Sequence, residues 1–248
     1  MRSARCSGSI DPPTRLPDVD VAMIGGTGAE GSGLAFRLAT AGHHVTIGSR
    51  DAGRGAESAT EASARTGAAL DGTDNAGAAA RAGSDGVVVV TVPFAGQAEI
   101  YRSIKDAIAP GAVILDATSP LATAVGGRPW QVLRPWHGSA AEQAQAILGD
   151  GSRVVAGFHT IAAESLQALD QEIDSDVLLC ADDGEAKARV GSLIEGIPGM
   201  RWVDAGRLEM ARVAEPLTAL LVSINRTYEI KDSGFRIVGR DAWGRPSG

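Results

Sequence analysis

The feature that most constrains the fold of this chain is a glycine-rich turn placed between an apolar run and a helical pattern. The run VDVAMI (19–24) precedes the turn GTGAEG, in which Gly26, Gly28 and Gly31 form G-x-G-x-x-G. The turn opens GSGLAFRLATAG, whose apolar residues have helical spacing and which stops at Gly42. In this context the pattern indicates a strand–turn–helix unit that binds a dinucleotide, whereas alone it would indicate only a tight turn.

The glycines have separate physical roles in such a turn. Gly26 permits the sharp turn, Gly28 lets the backbone approach a pyrophosphate, and Gly31 lets the helix pack closely on the strand. The pyrophosphate then lies at the amino end of the helix, where the helix dipole and free N–H groups favour an anion. The predicted cofactor-binding turn comprises Gly26, Thr27, Gly28, Ala29, Glu30 and Gly31.

A polar stretch, TIGSRD, ends the second apolar run. An NAD-binding chain usually has a carboxylate about 20 residues after the glycines, where it holds the ribose 2′-hydroxyl. This chain has Ser49 and Arg50 there, which suit a 2′-phosphate, and Arg54 adds a third donor one turn later. We therefore predict NADP(H) as the cofactor. Two alternatives remain open: a helix start capped by Ser49 or Asp51 with solvated arginines, or an NAD site in which Asp51 reaches the ribose.

The rest of the chain alternates apolar runs with helical patterns. GVVVVTVP (86–93) and GAVILDATSP (111–120) have the composition of buried parallel strands. The alternation predicts an α/β fold, a Rossmann-type doubly wound parallel sheet with a smaller C-terminal α+β domain. The predicted divisions are a disordered leader (1–18), a Rossmann domain (19–157), a C-terminal domain (158–240) and a tail (241–248).

Short signals predict helix boundaries in the second half of the chain. Ser139 and Glu142 form the S-x-x-E of a capping box. Asp183 precedes another helical pattern as a candidate cap. Pro216 lies within the last long helical pattern and is expected to kink or restart it.

Composition excludes several classes of function. A net charge of −7 disfavours a nucleic-acid binder, which normally carries a basic excess. No apolar run approaches the roughly 20 residues needed to span a bilayer, and the N-terminus has no apolar signal core. Cys6 and Cys180 have no metal-ligand spacing and make no disulfide framework. We therefore expect a cytoplasmic protein with no metal, no membrane partner and no nucleic-acid partner.

Other candidate residues follow the later strands. Thr91, Val92 and Pro93 end the valine-rich run, where the nicotinamide ribose of a dinucleotide would lie, although a plain strand exit fits equally well. His159 follows an apolar run as either a core residue or a catalytic one. Arg212 lies on a helical pattern as either a surface charge or an anion anchor.

The separated motifs together resemble one family. GGTGAEGSGLAFRLATAGHHVTIGSR, FHTI, DVLLCADDGEAK, IPGMRWVDAGRLEMARVAEPLTALLVSINR and GFRIVG are similar, in this order, to the NADPH:coenzyme-F420 oxidoreductases. The resemblance runs from about Val19 to Gly239. It implies hydride transfer between NADP(H) and the deazaflavin coenzyme F420, a C-terminal domain that holds the deazaflavin and dimerises, and usually a homodimer whose partners are small molecules.

The resemblance also implies roles for individual residues. The 2′-phosphate contacts of the family fall on Thr27, Ser49, Arg50 and Arg54. Its deazaflavin-side residues fall on His159, Arg212 and Thr218. Ile161, in the FHTI motif, is a further predicted cofactor-binding residue. Two departures stand out: Pro216 replaces a serine of archaeal-type members, and Arg54 is often lysine.

The mechanism implied by the resemblance is direct hydride transfer with no covalent enzyme intermediate. Hydride addition to the deazaflavin requires a proton at N1. His159 is one candidate to place or supply it, and a backbone N–H or a water would also serve. Coenzyme F420 carries a phosphate and glutamyl carboxylates, so Arg212 suits the role of an anchor. The alternatives are another two-domain NADP dehydrogenase or reductase and a non-catalytic NADPH sensor. The sequence does not give the physiological direction of transfer.

Overall fold

A computed structural model of the chain describes residues 18–239. Residues 1–17 and 240–248 lie outside this range. The predicted tail and almost all of the predicted leader therefore lie outside the described residues. Within 18–239, no helix is long and apolar enough to cross a membrane.

Six parallel strands form the central sheet. They are β1 Asp20–Ile24, β2 His44–Ser49, β3 Asp71–Asp74, β4 Val87–Val90, β5 Val113–Asp116 and β6 Arg153–Ala156. Their spatial order, β3-β2-β1-β4-β5-β6, is that of the Rossmann fold. All six strands are parallel, and the order in which the chain adds strands to the sheet reverses between β1 and β4. The predicted fold class is confirmed.

Helices follow the strands on both faces of the sheet. They are α1 Ala29–Thr40, α2 Ala52–Thr66, α3 Asn75–Arg81, α4 Phe94–Ile104, α5 Ala140–Leu148 and α6 Ala163–Gln167, with 3-10 turns at 105–107 and 122–125. Two apolar clusters separate these layers, one on each side of the sheet. The central strands β4 and β5 are buried along their whole length because both faces of the sheet are covered.

The C-terminal part adds a two-stranded parallel sheet and three helices. Its elements are β7 Asp176–Leu179, α7 Gly184–Glu195, β8 Arg201–Asp204, α8 Ala211–Ala214 and α9 Leu217–Tyr228. Val177 and Leu179 of β7 belong to the same apolar cluster as Leu115 and Val155 of the central sheet. One antiparallel bridge also joins β6 to Cys180. The division at 157/158 remains a prediction.

The predicted helix boundaries are confirmed by their caps. The side chain of Asp51 accepts from the backbone N–H of Arg54 at the start of α2. Ser139 and Asp183 cap α5 and α7 in the same way. Pro216 separates α8 from α9 and is the amino-terminal cap of α9, so the last helical pattern is two helices.

A buried arginine joins the first helix to the segment after β6. Arg37, only 5% exposed, lies on α1 and donates to four backbone carbonyls between Ser165 and Gln171, at 2.5–3.2 Å. Burial lowers the pKa of its guanidinium. These bonds occupy carbonyls that α6 leaves free at its carboxyl end. The segment that follows His159 is therefore held against the helix that follows the glycine turn.

Candidate coenzyme site

The glycine turn has the geometry that its sequence predicts. A Cβ on Gly26 would lie 2.9 Å from the Met23 carbonyl oxygen, and one on Gly31 would lie 2.5 Å from Oγ1 of Thr91. Real Cβ atoms do not approach other atoms so closely, so these two positions require glycine. A Cβ on Gly28 would meet only the Gly25 carbonyl oxygen, at 3.5 Å, so the outer face of this residue is open.

The amino end of α1 is free to receive an anion. Its capping residue is Gly28, which has no side chain to accept from the first N–H groups of the helix. The N–H groups of this turn and the helix dipole therefore face the open side of the glycine turn. Glu30 lies here, half-buried, and burial together with Asp116 raises its pKa to about 8. Its carboxyl is mostly protonated at neutral pH, so it adds little repulsion toward a pyrophosphate.

The residues predicted for the 2′-phosphate lie together at the end of β2. Ser49 is buried, whereas Thr27, Arg50 and Arg54 are exposed. Among residues 18–239, neither arginine forms an ion pair. The Asp51 carboxylate is used as the cap of α2. This arrangement leaves two guanidinium groups without an ion-pair partner among residues 18–239, one directly after β2 and one in the first turn of α2.

The end of β4 packs directly against the glycine turn. Oγ1 and the backbone N of Thr91 both donate to the carbonyl of Ile24, at 3.3 and 3.0 Å. A Cβ on Gly25 would lie 2.7 Å from Val92, and Pro93 caps α4. The structure thus brings the predicted residues of β4 next to the predicted pyrophosphate turn.

His159 lies at the end of β6 in an enclosed position. It is 6% exposed, and neither ring nitrogen has a hydrogen-bond partner among the described residues. Burial lowers its pKa to about 4, against a smaller opposing effect of the Ala117 carbonyl. Phe158, the preceding residue, has a φ of 69°, a left-handed conformation that costs a non-glycine residue about 1–3 kcal/mol. Unpartnered buried nitrogens beside a strained backbone are typical of a ligand site.

Thr218 fixes the backbone around His159. Its hydroxyl donates to the His159 carbonyl at 2.6 Å, and Oγ of Ser119 lies 2.6 Å from Oγ1 of Thr218. Because the single proton of Thr218 is used on the carbonyl, Ser119 is the donor in the second bond. The exits of β5 and β6 and the start of α9 therefore meet at one hydroxyl.

Arg212 lines a cavity of about 660 Å³ between α8 and the loop that follows β5. Its guanidinium is about half exposed and forms two bonds with the Glu142 carboxylate, Nε to Oε2 at 2.8 Å and Nη2 to Oε1 at 2.5 Å. This pairing raises the pKa of Arg212. An anion at Arg212 would have to compete with Glu142. Pro216 lines the same cavity.

Ile161 lies apart from this group. It is buried, and it lines a second cavity of about 460 Å³ whose walls also include Glu164, Glu172 and Asp174. The structure therefore brings His159 and Thr218 together and places Arg212 at the neighbouring cavity, but it turns Ile161 toward a different, acidic one.

Two buried carboxyls beneath the site were missed by the sequence reasoning. Asp116, at the end of β5, accepts from the Tyr101 hydroxyl at 2.6 Å and from the Gln97 side chain at 2.8 Å. Burial raises its pKa to about 6, although these hydrogen bonds oppose the shift. Glu215 accepts from the first N–H groups of α5, and burial raises its pKa to about 8. The only signal in the sequence for these two buried carboxyls was that Asp116 and Glu215 are charged residues within otherwise apolar patterns.

The chain was compared with known proteins. A family model described as NADP oxidoreductase, coenzyme F420-dependent, matches residues 20–120. The F420-dependent NADP reductase of Methanothermobacter marburgensis is 41% identical over 221 residues, 88% of this chain and 97% of the relative. That of Methanocaldococcus jannaschii is 36% identical over 222 residues, 88% of this chain and 97% of the relative.

The chain belongs to the family of F420-dependent NADP reductases.

Solved structures agree at the level of the fold. A structure from Arthrobacter sp. FB24, named as a candidate F420-dependent NADP reductase, has a TM-score of 0.75 at 24% identity and covers 89% of this chain and 99% of that one. A 3-hydroxyisobutyrate dehydrogenase of Mycobacterium tuberculosis has a TM-score of 0.60 at 16% identity, covering 86% of this chain but 62% of that one. The family thus shares its fold with larger dehydrogenases.

Residues 18–239 contain no group of three or more metal-ligating side chains. The neutral state of His159 at pH 7 also refines its expected role. A neutral imidazole can donate one N–H to a ligand atom, but it is not a reservoir of imidazolium protons.

The buried imidazole makes stability depend on pH. The unfolded chain takes up a proton at this side chain below its ordinary pKa of 6.5, and the native chain does so only near pH 4. Between these values the unfolded state binds more protons, so the native state loses stability as the pH falls. We expect this group to contribute a loss of about 2 kcal/mol between pH 7 and pH 5. Urea unfolding at both pH values should show a smaller loss for His159→Asn than for the wild type.

The wild type has to be compared with His159→Asn because the buried carboxyls have the opposite effect. Their raised pKa values make the native state more stable as the pH falls. A matched control is His137→Asn, since His137 is exposed in the loop before α5. It should lose as much stability as the wild type over the same pH interval. An identical pH dependence in wild type and His159→Asn would contradict the assignment of a buried neutral imidazole.

Proposed function

We propose that this protein transfers a hydride between NADP(H) and the deazaflavin coenzyme F420, directly and in a cleft closed to water. The observation that carries the proposal is the 41% identity over 221 residues to an F420-dependent NADP reductase. That match covers 88% of the chain, so it is not confined to the glycine turn. The substrates are therefore two small molecules.

The residues present fit an NADP molecule. The open face of Gly28 and the uncapped start of α1 would hold the pyrophosphate. Ser49 and the unpaired guanidinium groups of Arg50 and Arg54 would hold the 2′-phosphate, with Thr27 beside them. The nicotinamide end would then lie at the end of β4, at Thr91–Pro93.

The residues of the second half fit a planar ligand with an anionic tail. When bound, the two coenzymes supply the hydride donor and acceptor chemistry. The Thr218 bond fixes the backbone of His159, and the single ring N–H of the neutral imidazole would place a proton or a hydrogen bond at the deazaflavin. Arg212 would exchange Glu142 for an anionic group of the ligand. Burial of His159 excludes water from its ring.

Alternative dehydrogenase chemistry would need a free lysine. Nζ of Lys187 is 2.5 Å from Oδ1 of Asp204 and 2.8 Å from the Gly206 carbonyl, and the side chain is buried between α7 and β8. Lys231 is exposed and lines the acidic cavity. Neither lysine is therefore placed to act as the catalytic lysine of such dehydrogenases, which favours the F420 proposal.

The direct test is to mix the protein, NADPH and purified coenzyme F420 and to follow the visible absorbance of the deazaflavin. We expect the colour to be lost at a rate proportional to the protein concentration, because hydride addition removes the conjugation of the ring. Stable colour together with tight NADPH binding would instead indicate a sensor. Colour loss at the same rate with NADH would refute the NADP assignment.

Arg50 provides a test of coenzyme discrimination. Removing a charge-assisted contact to the 2′-phosphate costs about 1.5–3 kcal/mol, so Arg50→Ala should raise the KM for NADPH roughly ten- to a hundred-fold and leave the poor KM for NADH nearly unchanged. Steady-state rates with both nucleotides measure this. Arg81→Ala is the control, since Arg81 is a half-exposed arginine near Asp71. Equal losses with NADPH and NADH would show that Arg50 does not contact the 2′-phosphate.

We further propose a cytoplasmic homodimer whose contact includes α9. Leu220, Tyr228 and Ile230 are large apolar side chains that are 49%, 72% and 43% exposed. Such a patch marks an interaction surface more often than a free one. Sedimentation equilibrium should give a dimer for the wild type and a lower mass for Leu220→Asp at the same concentration. A wild-type monomer at micromolar concentration would contradict the proposal.

A further inference from the structure

The loop between β5 and α5 presents unpaired positive charge. It folds back on itself through a bridge between Leu121 and Val132 and a 2.8 Å bond from the Ala122 N–H to the Gln131 carbonyl. Arg128 and Arg134 lie on this loop and are exposed. Within residues 18–239 neither of them forms an ion pair.

Trp130 joins the loop to α9 through a second arginine. The guanidinium carbon of Arg226 lies 4.4 Å from the centre of the Trp130 ring, and that of Arg128 lies 5.5 Å from it. A guanidinium stacked on an aromatic ring keeps its N–H groups free for an anion. Arg226 also forms no ion pair in the described part of the chain. Arg226 lies two residues before Tyr228 on α9. Residues two apart point to nearly opposite sides of a helix, so Arg226 does not share the side that carries Tyr228 in the proposed dimer contact.

Arg134 lies at the cavity that Arg212 lines. Around the two arginines the walls are mainly apolar, with Leu133 and Val213 among them, and the one acidic lining residue within 18–239 is Glu215, whose carboxyl accepts from the first N–H groups of α5. Glu142 neutralises Arg212 but leaves Arg134 without a carboxylate partner. The cavity therefore has an apolar wall and a positively charged edge.

These charges are unusual for their surroundings. The whole chain carries a net charge of −7, which on average repels anions. Three unpaired arginines near one loop reverse that field locally and would concentrate a polyanion there. A single phosphate would need only one of them. The arrangement suits an extended ligand with several negative charges.

We propose that Arg134, together with Arg128 and Arg226 on Trp130, binds the oligoglutamyl tail of coenzyme F420 where the tail leaves the Arg212 cavity. This inference rests on the proposed function and deepens it. The deazaflavin ring would lie toward His159, the phosphate near Arg212 and the glutamyl carboxylates along the loop. The loop thereby selects coenzymes by the length of their tails.

The test measures binding by the intrinsic fluorescence of the deazaflavin, without turnover. Two ligands are compared: coenzyme F420 with several glutamyl residues, and the same coenzyme with all glutamyl residues removed. Because an exposed ion pair contributes up to about 1 kcal/mol, Arg134→Ala should weaken binding of the long-tailed ligand roughly three- to five-fold and leave the truncated ligand unchanged. The double variant Arg128→Ala/Arg226→Ala should behave in the same way.

Two further variants give the test its controls. Arg134→Lys keeps the charge and should recover most of the lost affinity. Arg102→Ala removes an exposed arginine on α4 and should match the wild type with both ligands. Added salt should reduce the preference of the wild type for the long tail, since exposed ion pairs are screened.

The outcomes separate this inference from the proposed function. Equal weakening of both ligands by Arg134→Ala, or no change with either, would overturn the tail site. Wild-type protein that binds and reduces both ligands equally well would also overturn it while supporting the proposed function. Wild-type protein that reduces neither ligand would refute the proposed function itself.

Discussion

The candidate site depends on the buried carboxyl of Asp116. It ends β5 with no exposure to solvent, and a buried carboxylate is tolerated only when its oxygens are hydrogen-bonded. Tyr101 and Gln97 of α4 and the backbone N–H of Thr118 provide those bonds. The same contacts anchor α4 to the sheet and set the direction in which the chain leaves β5. That exit leads to Ser119, the donor to Thr218.

The site is prepared for anions by neutralising its own acids. Burial raises the pKa of Glu30 and Glu215 to about 8 and that of Asp116 to about 6. Glu30 and Glu215 are therefore shifted toward their neutral forms near neutral pH, whereas Asp116 remains a hydrogen-bonded carboxylate. His159 is also neutral there, and Arg50 keeps its full charge at the rim. Two anionic substrates can then approach one acidic protein because its negative charge is not concentrated in the cleft.

The sequence predicted the features that depend on local chemistry. The Asp51 cap and the break at Pro216 follow from chemistry within a few residues, and the structure confirms them. The glycine turn can be predicted from its spacing, although Gly31 must be glycine because Thr91, from a distant part of the chain, packs against it. The strand β3 was not predicted, because it packs through glycine: a Cβ on Gly72 would lie 2.0 Å from the carbonyl oxygen of Gly55. Where two backbones pack directly against each other, the strand needs no apolar side chains, and its sequence, DGTD, therefore has no apolar pattern.

Contacts between residues far apart in the chain also could not be predicted from the sequence. Glu142 was recognised as part of a capping box, yet its carboxylate binds Arg212, 70 residues away. The left-handed Phe158 occupies a position where no glycine signalled it. The bonds to Asp116 need the sheet and α4 to be in place before they exist. Such interactions follow from the assembled fold, so no local pattern encodes them.

Arg37 has a consequence for how the molecule can open. It joins α1 to carbonyls 128–134 residues further along the chain. Breaking those bonds would leave both the guanidinium and the carbonyls without partners inside the protein. The segment after His159 therefore cannot fray by itself, as surface loops of similar length do. Its amides will exchange with solvent only when α1 also separates, so the two halves of the site form one cooperative unit of unfolding.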